Sequence, residues 1–162
     1  MKRLLLIIGI LLLVASTASA QDSGLGLGVM IGNPDGLVAK YWITDTIALD
    51  AGLGAYVGGT STDANGNKKN EGTIVRFHGD ILFHNLNWIE STEEFPVFYG
   101  AGVYLSSGGG IDKIFGIRAV LGLAYIVQQA PLDLFFELSP VMQLNPTTGI
   151  GMGASMGARY YF

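Results

Sequence analysis

From Gly24 to Phe162 the chain alternates between two kinds of side chain at every second residue. The charged residues of the alternating stretches all fall on the same side of that alternation. Successive side chains of a strand point to opposite faces, so this period specifies β-structure, and the missing 3.6-residue period excludes a helical domain. Eight segments carry it: 24–32, 37–43, 47–57, 75–84, 97–105, 115–125, 132–139 and 150–162. On one face stand residues such as Leu25, Leu27, Val29 and Ile31, with no Asp, Glu, Lys, Arg, His, Asn or Gln in any segment. On the other stand Lys40, Arg76, Arg118, Arg159, Asp50, Asp80, Asp133 and Glu137, with His78 and most of the segments' glycines.

Two architectures compete for such a pattern. A water-soluble barrel would turn the aliphatic face inward and the ions outward. It would then crowd Leu, Ile, Val, Phe and Tyr into a small bore while glycines covered its outside. The inverted arrangement sets aliphatic residues against lipid and places small and charged ones in a narrow interior. An open sheet edge in lipid would leave amides unpaired, so the sheet has to close. Most segments are close to the length a tilted strand needs to cross a bilayer. The expectation is an all-β fold, an eight-stranded antiparallel up-and-down transmembrane β-barrel. The 24 glycines and the 14% share of charged residues suit a wall with little room inside and hydrocarbon outside.

At the N-terminus, Lys2 and Arg3 precede an apolar run over 4–14 and the small residues Ala18, Ser19 and Ala20. This is the layout of a cleaved secretory signal peptide. The expected organisation is a signal peptide over 1–20 and a barrel domain over 21–162, with Gln21 first in the mature chain. Without Lys2 and Arg3, seven basic residues face thirteen acidic ones. No basic stripe interleaves with aromatics, so a nucleic-acid partner is excluded. The absence of Cys excludes a disulfide scaffold, Cys-based zinc or iron–sulfur sites and a lipid-modified N-terminal Cys. The Gly-x-Gly pairs at 24/26/28, 52/54, 100/102 and 151/153 never complete a nucleotide-binding G-x-G-x-x-G. No cofactor and no metal is expected. Asn33-Pro34-Asp35-Gly36 and Asn65-Gly66 are turn chemistry, and Glu90, Glu93 and Glu94 with Trp88 make an acidic connection.

An even strand number puts both termini on one side, expected to be the periplasmic side of a bacterial outer membrane. The connections 44–46, 85–95 and 126–131 then lie with the termini, and the polar stretch 58–73 lies outside the cell. On that orientation Tyr41, Phe83, Tyr99, Tyr125, Tyr160 and Phe162 gather near the terminal rim and point outward, as an aromatic girdle at a lipid–water interface does. Phe77 and Phe115 are the candidates at the opposite rim. The final residues Ala158, Tyr160 and Phe162 resemble the C-terminal insertion signal of bacterial outer-membrane barrels. More broadly, 24–162 resembles the OmpA/OmpX-type superfamily of small barrels, and within it a family of poorly characterised members. The segments GLVAKYWITDTIALD, RFHGDILFH, PLDLFFELSPV and GARYYF carry that likeness. The resemblance implies an integral, monomeric outer-membrane protein in contact with outer-membrane lipids. It also implies delivery by the barrel assembly machinery through the last strand, and no particular chemistry.

If 44–46 is a three-residue turn, Ile43 faces Ile47 and Lys40 faces Asp50, which predicts a cross-strand ion pair. Arg118 and Glu137 are expected opposite each other or one step diagonal across 126–131. Four cations and four anions in a tight bore are expected to neutralise one another, because an unpaired buried charge costs several kcal/mol. With Trp42, Tyr56, Phe98, Tyr104 and Phe135 as fillers they leave little passage. The expected role is structural, in envelope integrity or in surface interaction, with a non-conducting lumen and no enzymatic activity. A narrow transport pore is the alternative. A lipid-modifying hydrolase could draw on His78, His84, Asp80, Glu137 and Ser139, but Ser139 faces inward and His84 falls at the terminal-side end of its strand. Metal binding by His78 and His84 is a further, minor reading.

Overall fold

The computed structural model describes residues 24–58, 60–62, 68–70, 72–85, 95–109, 111–127 and 130–162. The expectations for 1–20, for Trp88, Glu90, Glu93 and Glu94, and for Asn65-Gly66 lie outside the described residues. Among the described residues ten strands follow in order: β1 Leu25–Asn33, β2 Gly36–Trp42, β3 Ile47–Val57, β4 Thr60–Thr62, β5 Lys68–Asn70, β6 Thr73–Asn85, β7 Val97–Gly108, β8 Ile111–Val127, β9 Leu132–Asn145 and β10 Gly149–Tyr161. Eight of them form one closed antiparallel barrel, β1-β2-β3-β6-β7-β8-β9-β10. β10 returns to β1 from Gly26↔Tyr161 to Asn33↔Ala154, so the barrel sheet has no open edge. The order is up-and-down, each barrel strand pairing with its neighbours along the chain.

Local chemistry sets the register. Between β2 and β3 the Ile43 amide donates to the Ile47 carbonyl at 2.8 Å, and the Ile47 amide donates to Thr44 Oγ1 at 3.1 Å. That turn puts Lys40 opposite Asp50, as the sequence spacing predicts. Between β7 and β8 the chain reverses at Gly108 and Gly109, whose φ angles of 112° and 64° suit glycine and strain other residues.

The strands also reach further than the alternation suggests. The stretch 58–73, read as a polar loop, contains β4 and β5, which pair as a small antiparallel sheet. Strand also extends beyond the alternating segments 97–105, 115–125 and 132–139, because β7 runs to Gly108, β8 begins at Ile111 and β9 continues to Asn145. Pro140 looks like a break since it has no amide to donate. The ladder steps around it, from Arg118↔Val141 to Leu121↔Leu138 on the β8 side, while Pro140 still faces Met152 of β10.

The wall is inverted relative to a water-soluble domain. Leu49, Leu53, Ile81, Leu121, Phe136 and Met156 stand exposed on the outside, whereas Lys40, Asp50, Arg118, Glu137 and Arg159 are each at most 3% exposed within. Glycines make the interior roomy enough for the large groups it does hold. A methyl group on Gly122 would fall onto the ring of Phe98, itself fully buried. Gly122→Ala is expected to destabilise the barrel by about 1–3 kcal/mol through overpacking. Gly151→Ala, whose methyl would meet nothing within 4 Å, should stay within about 0.5 kcal/mol of the parent; urea titration of the two variants checks both values.

Candidate functional site

The functional question falls on the barrel interior, which holds the buried ionisable groups. At the end of the barrel that carries the termini, Trp42, Ala48 and Tyr161 form an apolar cluster. The His84 ring lies between Trp42 and Phe98, with centroids 4.3 and 5.5 Å away. Neither imidazole nitrogen of His84 has a hydrogen-bond partner. This layer sets aromatic rings at the terminal end of the interior.

The next layer is ionic, and Arg159 is its hub. Its Nε donates to Asp133 Oδ1 at 3.0 Å and its Nη1 to Asp50 Oδ2 at 2.8 Å, while its guanidinium sits 4.0 Å over the Phe135 ring. The Tyr161 hydroxyl donates to Asp133 Oδ2 at 2.8 Å. Lys40 Nζ lies 3.9 Å from the same oxygen and 4.2 Å over the Trp42 ring, where the cation meets the negative face of the indole. A second hub follows. Arg118 Nη2 donates to Glu137 Oε1 at 2.8 Å, its Nε lies 3.3 Å from Asp80 Oδ1, and Ser155 Oγ donates to Glu137 Oε1 at 3.0 Å. His78 Nε2 sits between the hubs, 3.8 Å from Asp50 Oδ1 and 4.0 Å from Asp80 Oδ2.

Several partners differ from those the spacing suggests. Lys40 and Asp50 are register neighbours, yet Asp50 is taken up by Arg159 and His78 while Lys40 approaches Asp133. Register fixes where a side chain starts, but a long cation in a closed bore reaches carboxylates on strands across the interior. Arg118 is paired in register with Val141 and Glu137 with Gly122, so neither the opposite nor the diagonal placement holds. The β8–β9 ladder runs on to Val127↔Leu132, and the two side chains meet along the interior instead. Arg76 leaves the central cluster: it is half-buried and its Nη1 binds Asp35 Oδ1 at 3.2 Å. Tyr56, expected as an interior filler, is 48% exposed near the far rim, where Arg76 lies 5.8 Å over its ring.

Asp35, Ser155 and Tyr161 take part without having been singled out. Alternation puts Ser155 and Tyr161 on the inner face, which was the available signal. Asp35 sits in a turn whose composition explains it without any partner.

At the far end the interior opens into a cavity of about 260 Å³ lined by Asn33, Tyr104, Ser139, Val141, Gln143 and neighbouring glycines. Ser139 Oγ is buried there without a hydrogen-bond partner, so no histidine is hydrogen-bonded to it. Ser139 is therefore not hydrogen-bonded to His78 or His84 in the way a nucleophile is to its base. His78 and His84 lie six residues apart on one strand, about 20 Å at 3.3 Å per residue, too far to share a metal.

Outside, Tyr41, Phe83, Tyr99 and Phe162 are exposed, and Tyr125 and Tyr160 half-exposed, around the terminal end. Phe83 stacks on Tyr99 at 5.8 Å, Tyr160 meets Phe162 edge-on at 5.2 Å, and Phe95 lies 5.1 Å from Tyr125. Comparison with models of known protein families, with curated proteins and with solved structures finds no match.

Proposed function

We propose that the protein is an integral barrel of a bacterial outer membrane, with both termini periplasmic and a structural, envelope-integrity or surface-interaction role. The observation that carries this reading is the inversion itself. Exposed Leu, Ile, Val, Phe and Met cover the outside while ion pairs fill the inside, and only an apolar surround makes that distribution favourable. The aromatic residues around the terminal end suit the headgroup layer. Ala158, Tyr160 and Phe162 remain the proposed signal to the assembly machinery. The proposed OmpA/OmpX-type kinship rests on the barrel order and these residues.

On the same reading the lumen is sealed. The Trp42, His84 and Phe98 rings and the two arginine hubs lie across it, and the far cavity is then a vestibule. Refolded protein in a planar bilayer is expected to give no stable openings of porin-like conductance, although it shows heat-modifiable gel mobility. Stable openings would favour the narrow pore, a function the far-end cavity would then serve.

A further inference from the structure

Within the central cluster the charges do not balance. Lys40, Arg118 and Arg159 face Asp50, Asp80, Asp133 and Glu137, because Arg76 is engaged at the rim by Asp35. The excess negative charge has a location. Asp50 and Asp80 are direct cross-strand partners on β3 and β6, both facing inward, and like charges in that relation repel. Each carboxylate gives one oxygen to an arginine: Asp50 Oδ2 to Arg159, and Asp80 Oδ1 towards Arg118. The other two oxygens, Asp50 Oδ1 and Asp80 Oδ2, face His78 Nε2.

Those three atoms are set for a cation. All three residues are buried, and one donor atom from each lies within 4.8 Å of the others. Both His78 Nε2 and the Asp80 carboxylate oxygens lack a hydrogen-bond partner, which is costly for groups so deeply buried. Gly52 opposite His78 has no side chain, and one there would strike the imidazole. The ring is thereby free to lie towards the acids.

We propose that Asp50, His78 and Asp80 form a buried binding site for one divalent transition-metal ion. One imidazole nitrogen and two carboxylate oxygens suit Zn²⁺, Mn²⁺ or Fe²⁺. At bond lengths near 2.1 Å a tetrahedral ion holds its donors about 3.4 Å apart. The 3.8 and 4.0 Å separations from His78 need to close by only about half an ångström. Arg159 hydrogen-bonds the outer oxygen of Asp50, and the Arg118 guanidinium lies 3.3 Å from the outer oxygen of Asp80 as an ionic neighbour, so both help to orient the carboxylates as outer-shell groups do around metal ligands. The site concerns the interior alone and does not depend on what surrounds the barrel.

The test uses the full mature chain refolded in detergent, loaded with Zn²⁺, exhaustively dialysed and analysed for metal and protein. About one zinc per folded chain is expected. His78→Gln and Asp80→Asn should each lower that content at least tenfold, whereas His84→Gln, set among aromatic rings, should leave it unchanged. Heat-modifiable mobility reports folding in each case. If a variant fails to fold, competition of Zn²⁺ by a graded chelator on the parent reads the site directly. A parent that holds less than a tenth of an equivalent would overturn the proposal. So would zinc content that is unchanged in folded His78→Gln and Asp80→Asn.

Discussion

Arg159→Met is expected to cost about 3–5 kcal/mol of stability, because it leaves the buried carboxylates of Asp50 and Asp133 without their main counter-charge. Arg159 is 1% exposed, bonds both acids at 2.8 and 3.0 Å and lies on Phe135, so its removal takes away charge, hydrogen bonds and packing together. Urea unfolding of the refolded protein, followed by the loss of the folded gel band, measures the change. The pairing also predicts non-additivity. Asp133→Asn combined with Arg159→Met should be about 1–3 kcal/mol less destabilised than the sum of the two single variants. Additive costs would mean that the two side chains do not act as a pair.

Ala101→Arg should be as damaging for a different reason. Ala101 stands exposed on the outer face of β7, beside Ile81 and Ala119, so an arginine there removes little packing. On a surface facing water the substitution would stay within about 0.5 kcal/mol. In a bilayer, at the proposed mid-height, it should cost about 2–4 kcal/mol. Val57→Arg, at the far end of β3 and 74% exposed, should cost about 0–1 kcal/mol, since the penalty falls towards the interfaces. Measured in lipid vesicles, the gradient between the two positions carries the information. Equal, small effects at both sites would remove the case for lipid around the barrel.

The wall of this protein is legible in its sequence because alternation is a local signal. Whether Leu49 or Asp50 faces inward follows from counting by twos, and the 44–46 turn transmits that phase from β2 to β3. The interior contacts are legible only in part. Asp50 meets Arg159 across 109 positions of chain, a contact set by closure of β10 on β1 and by side-chain length, neither of which a hairpin register encodes. The same limit hides Arg76 and Asp35, which meet from β6 and the turn after β1. The continuation of β9 through Pro140 is hidden for a related reason. A residue that cannot donate to one neighbour still pairs with the other, and the sequence does not say which side matters.

The chain contains no Cys, which makes the proposed inversion directly measurable. Single cysteines at Ala51, Ala101 and Ala119 on the outer face, and at Thr147 in the turn between β9 and β10, can carry a nitroxide after refolding into lipid vesicles. Collision rates with oxygen and with a water-soluble nickel chelate then report what each label touches. Labels at 51, 101 and 119 are expected to be dominated by oxygen and shielded from the chelate, with the label at 147 showing the reverse. Chelate-dominated collisions at all four positions would contradict a barrel seated in lipid.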